Sequence, residues 1–281
     1  FIRQPNFLHE AVGYFTGAVG QQRVPEGFLW NYIIPLPLVE EQKRIVTKIQ
    51  ELMREVERAR NACEIQLEAA KTLPAAYLRA VFESEEAKKW ERKKLGDIAD
   101  EFVSGGTPGT GIPHYWNGDI PWITGADITS LWVSRGRKFI TADGLNNSAT
   151  RLVKKNTLLI VTRTGVGKVG IAANDLCFSQ DITGVICGGK IIPEFVARFI
   201  IFQADTLIKI QRGATIKGLI REDIEFIEIP IPPLWEQKRI IGFMNEKTAK
   251  LEALQSSIQN QRSALSALPQ SILRKAFSGE L

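Results

Sequence analysis

Residues 34–85 return without a gap as residues 229–280. The first copy opens IPLPLVEEQKRIV and closes KTLPAAYLRAVFESE; the second opens IPIPPLWEQKRII and closes SALPQSILRKAFSGE. Gln42 falls on Gln237, Pro74 on Pro269 and Phe82 on Phe277, a constant shift of 195 residues (237 − 42). Solenoid repeats recur every ~20–50 residues. A match at so long a distance marks instead a duplicated half-protein, in which a globular domain is followed by one long helix, twice over.

Apolar residues step through each copy by four and three. The first gives Ile45, Ile49, Leu52, Val56, Ala59, Cys63, Gln66, Ala70 and Leu73; the second gives Ile240, Met244, Lys247, Leu251, Leu254, Ile258, Gln261, Leu265 and Leu268. This is the seam of a left-handed coiled coil, and the glutamine at the same step of both seams can fix register. One helix could pack on its own domain, but two matching stripes give each a natural partner. An antiparallel pair is expected, with Ile45 near Leu268 and Leu73 near Ile240. Proline-rich entries precede both helices, Glu40, Glu41 and Glu236 suit the positive end of the helix dipole, and Pro74 and Pro269 are expected to break or kink the rods. From Val39 to Leu73 such a rod would span ~50 Å.

Between the copies the composition changes. From Trp90 the chain is rich in Gly, Thr and β-branched residues, with strands predicted at Trp122–Ile123, Lys138–Ile140, Leu158–Thr162, Val169–Ala172 and Thr183–Ile186, and one helix over Pro193–Ile210. The expected organisation is 1–33, 34–89, 90–228 and 229–281. TGAVGQQRVPEGFLWNYIIPLP, ahead of the first helix, parallels RGATIKGLIREDIEFIEIPIPP ahead of the second. Residues 1–33 therefore read as the tail of a first globular domain whose body this sequence lacks. At 44% hydrophobic residues the chain can build a core, and no apolar run approaches a membrane span. Cys63, Cys177 and Cys187 form no C-x-x-C pair and read as buried thiols of a reducing cytosol. His9 and His114 are the two histidines, too few and too far apart in sequence to suggest a zinc site.

Catalytic motifs are absent from the sequence. GVGKVG at 165–170 fits G-x-G-x-x-G, but the residues after it read as strand and turn rather than helix, and Val169 stands where a P-loop needs Ser or Thr. The loop is either a glycine hairpin or a flexible element bringing Arg163 and Lys168 to a nucleic-acid backbone. Tyr115–Trp122 reads as a packed turn. Basic and amide residues cluster in the loops of 90–228: Arg135, Arg137 and Lys138; Arg151, Lys154 and Lys155; Arg163 and Lys168; Lys209, Gln211, Arg212 and Lys217. Lys and Arg neutralise phosphates, while Arg and Gln can read base edges. A net charge of +5 permits a polyanionic partner.

The domain opening WERKKLGDIADEFVSGGTP…YWNGDIPWIT, the proline entry followed by EQKRI, the Leu-Pro step and the LRKAFSGEL ending together resemble the DNA-specificity subunit of type I restriction–modification enzymes. The resemblance covers essentially the whole chain. It implies an α+β fold, with a mixed-sheet target-recognition domain and two long helices pairing as an antiparallel coiled coil. It also implies a non-catalytic, cytoplasmic subunit that needs no cofactor or metal of its own. Such a subunit reads one half of a bipartite site in double-stranded DNA, and two methyltransferase subunits dock on its helices. Nuclease and translocase subunits join indirectly. On that view Arg135, Arg137, Lys138, Arg151, Lys154, Lys155, Arg163, Lys168, Gln211, Arg212 and Lys217 face DNA. Lys48, Arg54, Arg60, Lys247 and Gln255, on the helices' outer faces, take the methyltransferase. The rival readings are a coiled-coil adaptor that binds protein, and an enzyme that holds S-adenosylmethionine or a nucleotide at the glycine loop.

Overall fold

The computed structural model describes residues 2, 5–18, 20–34, 36–212 and 218–281. In chain order the main elements begin with α1 (Pro5–Val12), α2 (Glu26–Asn31) and α3 (Val39–Phe82). Next come β1 (Arg92–Lys94), α4 (Leu95–Ile98), β2 (Ala99–Ser104), β3 (Trp116–Ile123), β4 (Trp132–Val133), β5 (Lys138–Ile140) and α5 (Ala142–Asn146). They continue through β6 (Leu158–Val161), β7 (Val169–Ala172), β8 (Cys177–Phe178), β9 (Ile182–Cys187), α6 (Pro193–Phe202) and α7 (Ala204–Lys209). α8 (Arg221–Glu225), β10 (Glu228–Pro230) and α9 (Leu234–Ser278) complete the chain. Contacts divide it into Phe1–Leu73 with Lys250–Leu281, and Pro74–Ala249.

In the first unit the long helices run antiparallel. Arg44 Nη2 donates to the carbonyl of Leu281 (2.7 Å), and Arg262 approaches Glu64 (3.7 Å). Ile45 and Ile49 share a cavity with Ala276 and Phe277, so the register lies about a heptad beyond the expected pairing of Ile45 with Leu268. Gln66 and Gln261, the two seam glutamines, line one cavity with Ala59, Ala62 and Cys63. They are equivalent residues of the duplication, so the local twofold of the pair passes beside them. The two helices differ in character away from the seam. α3 carries ion pairs Lys48–Glu51, Glu55–Arg58, Glu57–Arg60 and Glu68–Lys71, whereas Ser256–Ser266 of α9 is mainly Ser, Gln and Asn. Ahead of α3, Phe7, Phe28 and Tyr32 pack ring on ring, and Thr16 bridges to Arg23.

Both long helices continue through their prolines, against the expected break. An internal proline forfeits one backbone bond and crowds the preceding turn. Leu78 and Phe82 beyond Pro74, and Ile272 and Ala276 beyond Pro269, are buried and anchor the later turns.

The second unit is built on a mixed five-stranded sheet, β2-β9-β6-β7-β4, with a three-stranded sheet β5-β3-β8 beside it. The expected strands all form. Alternate residues of β6 enter different cores, which is why β6 reads as a continuous apolar run. Leu158 and Ile160 pack with Phe195, Phe199 and Ile200 of α6, and Leu159 and Val161 pack with Ile123, Leu176 and Phe178. The helix expected over 193–210 is two, because the backbone at Gln203 (φ −88°, ψ 6°) separates α6 from α7. α6 sits on the long helices. Phe82 meets the rings of Phe195 and Phe199 at 5.6 and 5.1 Å. The fully buried Gln237 accepts from Ile192 N (2.8 Å) and donates to Lys190 O (3.2 Å) and Pro232 O (2.9 Å). Tyr77 of α3 faces Phe243 of α9, and Arg239 approaches Glu86 (3.5 Å), so the antiparallel pairing holds in this unit as well. The cysteines are unpaired, and burial pushes the Cys177 thiol up to about 11 and Cys187 to about 12.

Candidate nucleic-acid interface

β6 and β7 are buried along their whole length, so the polar groups of the hairpin joining them are confined to residues 162–168. The turn is tight. Lys168 N donates to Gly165 O (3.2 Å), Val161 N donates to Lys168 O (3.0 Å), and Thr164, Gly165 and Gly167 take positive φ of 47°, 127° and 96°. Only glycine adopts this region freely, so the pattern of glycines serves the turn. β7 begins at once, and no helix N-terminus faces the loop as a dinucleotide site would require. Arg163 projects from the hairpin and is exposed.

Three further segments gather at this end of the sheet. Thr162 N donates to Asp181 O (2.8 Å), which draws in 179–181. Lys168 Nζ donates to Gly125 O (3.4 Å), which draws in the loop after β3. Arg163 and Arg212 both bridge to Gly218, and Leu219 N donates to Thr162 O (2.8 Å). Gly218 passes so close that a Cβ there would stand 2.9 Å from Arg163 Cγ. Arg212 is thereby brought to the hairpin that carries Arg163 and Lys168. Gln211 lies beside them, half-buried, with its Nε2 donating to Ile208 O (2.9 Å). Lys217 lies outside the described residues.

The remaining candidates are divided. Arg137 is tied to Asp127 (2.9 Å), whose carboxylate also accepts from the amide and hydroxyl of Thr124. Burial alone would raise the Asp127 pKa, but those bonds outweigh it and hold the carboxyl below its ordinary value. Arg212 is likewise paired with Asp223 (2.7 Å). Lys154 and Lys155 precede β6, at the end of the strand away from Arg163. Lys154 pairs with Asp175 (2.7 Å), which also accepts from Lys155 N (3.2 Å), and the Lys154 hydrogen bond leads in lowering the Asp175 pKa. Lys138 stands over the Trp116 ring at 5.0 Å. Arg135, Arg151, Lys155 and Arg163 are exposed and carry no ion pair among the described residues.

Two residues that the sequence did not single out belong to this region. Thr107 donates to the Gln180 side chain beside the segment that holds Thr162. The legible sign was Gly105-Gly106, where a Cβ on Gly105 would come within 2.1 Å of Ser179 O. Trp122 is buried and donates to Gly106 O (2.9 Å), so the Tyr115–Trp122 stretch is packed structure.

On the long helices Lys48 and Arg60 are exposed in pairs with Glu51 (3.6 Å) and Glu57 (3.9 Å), and Arg54 is exposed. The expected outer-face position of Lys247 and Gln255 is corrected. The Lys247 ammonium lies over Tyr77 and Phe243 (5.8 and 5.4 Å), because a lysine stem covers apolar surface readily. Gln255 lines a cleft with Glu64, Leu67 and Lys71 of the opposite helix.

Residues 87–261 match the family of type I restriction modification DNA specificity domains. Among curated proteins the chain is 34% identical over 160 residues to the type I restriction enzyme MjaIX specificity subunit of Methanocaldococcus jannaschii, covering 54% of this chain and 36% of that protein. It is 27% identical over 175 residues to the EcoR124I/EcoR124II specificity subunit of Escherichia coli, covering 60% and 42%. The chain thus spans less than half the length of either relative. A chain from a structure describing assembly and conformational transition of the type I R-M system aligns with a TM-score of 0.75 at 25% identity, over 98% of this chain and 69% of that one. The HsdS subunit of Thermoanaerobacter tengcongensis aligns with a TM-score of 0.70 at 23% identity, over 99% and 68%, and shares the fold.

Proposed function

Because the chain belongs to the family of type I restriction modification DNA specificity domains, we propose that residues 90–228 form a target-recognition domain that reads one half of a bipartite site in double-stranded DNA. The chain is a non-catalytic specificity component. Methylation and cleavage reside in partner subunits, and two methyltransferase subunits dock along the outer faces of the helices of 34–89 and 229–281. Residues 1–33 are the tail of another recognition domain. Cytoplasmic residence belongs to the same reading.

The observation that carries it is the meeting of Arg163 and Lys168, from the β6–β7 hairpin, with Arg212, from the segment before Gly218, at one end of the sheet, with Gln211 beside them. Rigid elements that present a few long donors suit base readout, while scattered cations position the duplex. The adaptor reading would favour an extended apolar patch on 90–228. The densest apolar exposure lies elsewhere, at Leu29, Trp30, Ile33, Leu36 and Leu38.

Binding to cognate and scrambled duplexes across a salt series, in the assembled methyltransferase, tests this. Lys155→Ala should weaken both duplexes alike and reduce the salt slope by about one. Arg163→Ala should cost ~1–3 kcal/mol on the cognate duplex alone. If neutralising Arg135, Arg151, Lys155, Arg163 and Lys168 together left affinity and preference intact, the domain would not be the reader.

A further inference from the structure

One acidic residue stands beside the cations of the β6–β7 hairpin. The carbonyl of Asp181 accepts from Thr162 N (2.8 Å), Thr162 Oγ1 (3.1 Å) and Arg163 N (3.4 Å), and Asp181 N donates to Ser179 Oγ (3.4 Å). Its backbone is thereby pinned next to Arg163. Its side chain is not tied. Asp127, Asp175 and Asp223 each neutralise a cation of the candidate interface, Arg137, Lys154 and Arg212. The Asp181 carboxylate makes no ion pair and no hydrogen bond among the described residues. No buried side-chain oxygen among them lacks a partner, so the oxygens of the half-buried Asp181 open to solvent. Gln180, next to it, already accepts from Thr107 with its amide oxygen and is left chiefly a donor. Ser179 is buried. The outward acceptor of this segment is Asp181.

An unpaired carboxylate is repelled by phosphates and by every acceptor on a base edge. The group that suits it is an exocyclic amino group. In the major groove adenine sets its N6 donor beside the N7 acceptor, which a carboxylate opposes. Cytosine offers N4 with no acceptor on its own edge, and its partner guanine offers O6 and N7, the pair that an arginine takes. We infer that Asp181 and Arg163 together read one C·G pair, Asp181 accepting from cytosine N4 and Arg163 donating to guanine O6 and N7. This rests on the recognition-domain reading and carries it to a named base pair. The shared backbone bond holds the two residues side by side, and the carboxylate excludes other pairs by repulsion as well as selecting this one by attraction.

The test selects duplexes from a randomised pool with the assembled methyltransferase at fixed salt. The unaltered assembly should enrich a half-site containing a C·G pair at which Asp181→Ala, and no other position, becomes degenerate, a change of at least about fivefold. Asp181→Ala should also bind duplexes with another pair there more tightly than the unaltered assembly does, because the repulsion is gone. A residue that only supported the hairpin would weaken all duplexes alike. Asp181→Asn, of the same shape, should shift the preference towards adenine, whose edge suits an amide. In a final arm the cytosine is replaced by its analogue without the exocyclic amino group. That change should weaken the unaltered assembly at least about fivefold and leave Asp181→Ala indifferent. Should Asp181→Ala not assemble, Asp181→Asn and the analogue decide. Enriched half-sites without a C·G pair, a preference unchanged by substitution at Asp181, or equal losses on the analogue in both assemblies overturn the inference and leave the recognition reading standing. A pool from which nothing is enriched overturns both.

Discussion

Asp127 governs what Arg137 is free to do. Its carboxylate takes hydrogen bonds from Thr124 and from the Arg137 guanidinium, and its pKa lies below the ordinary value although burial opposes that. A depressed carboxyl contributes stability that is fully present above the unfolded pKa, ~3.9, and is lost as pH falls through the lower folded value. Asp127→Asn should therefore flatten the acid limb of stability below about pH 4, read as urea midpoints across pH 2.5–6. It should also release Arg137. Ion pairs of this kind were the least legible part of the site. Arg137, Lys154 and Arg212 look free in sequence because Asp127, Asp175 and Asp223 lie 10, 21 and 11 residues away and meet them only through loop paths. Arg163 was legible because it flanks a glycine turn whose geometry the sequence states.

The existence of α3 and α9 could be read from their apolar period, but their register could not. A heptad stripe is satisfied by any slip of one heptad, so the ends must choose. Arg44 reaches the Leu281 carbonyl and its equivalent Arg239 approaches Glu86, the equivalent of Leu281. Bis-maleimide cross-linking should join Gln66→Cys to Gln261→Cys efficiently and fail between Ile45→Cys and Leu268→Cys; the reverse outcome would restore the expected register. The prolines misled for a related reason. Local chemistry opposes helix at Pro74, but buried Leu78 and Phe82 hold the next turns in place. Pro74→Ala restores a backbone donor and should stabilise the protein by about 1–3 kcal/mol, seen as a higher denaturant midpoint. The break at Gln203 carries no proline or glycine, so nothing in the local sequence announces it.

For the molecule as a whole, the class of fold and the family were legible because duplication, proline entries and a distinctive domain opening recur in order. The target bases were not, since loop side chains state no code without their geometry. The duplication has nevertheless drifted unevenly. EQKRI and the Leu-Pro step survive in both copies, while the central outer face of α3 is laced with charge and the matching stretch of α9 is mostly neutral. On the proposed docking, two identical partners would meet unlike sockets, one able to form charge-assisted bonds about twice as strong as those of the other. Occupancy should then be sequential: titrated with methyltransferase subunit, the chain passes through a half-loaded species on α3 before the second binds. Native mass spectrometry at substoichiometric ratios would resolve it, and equal, uncorrelated filling would contradict it. A protein duplicated in its scaffold would in this way impose an order of assembly on partners that have none of their own.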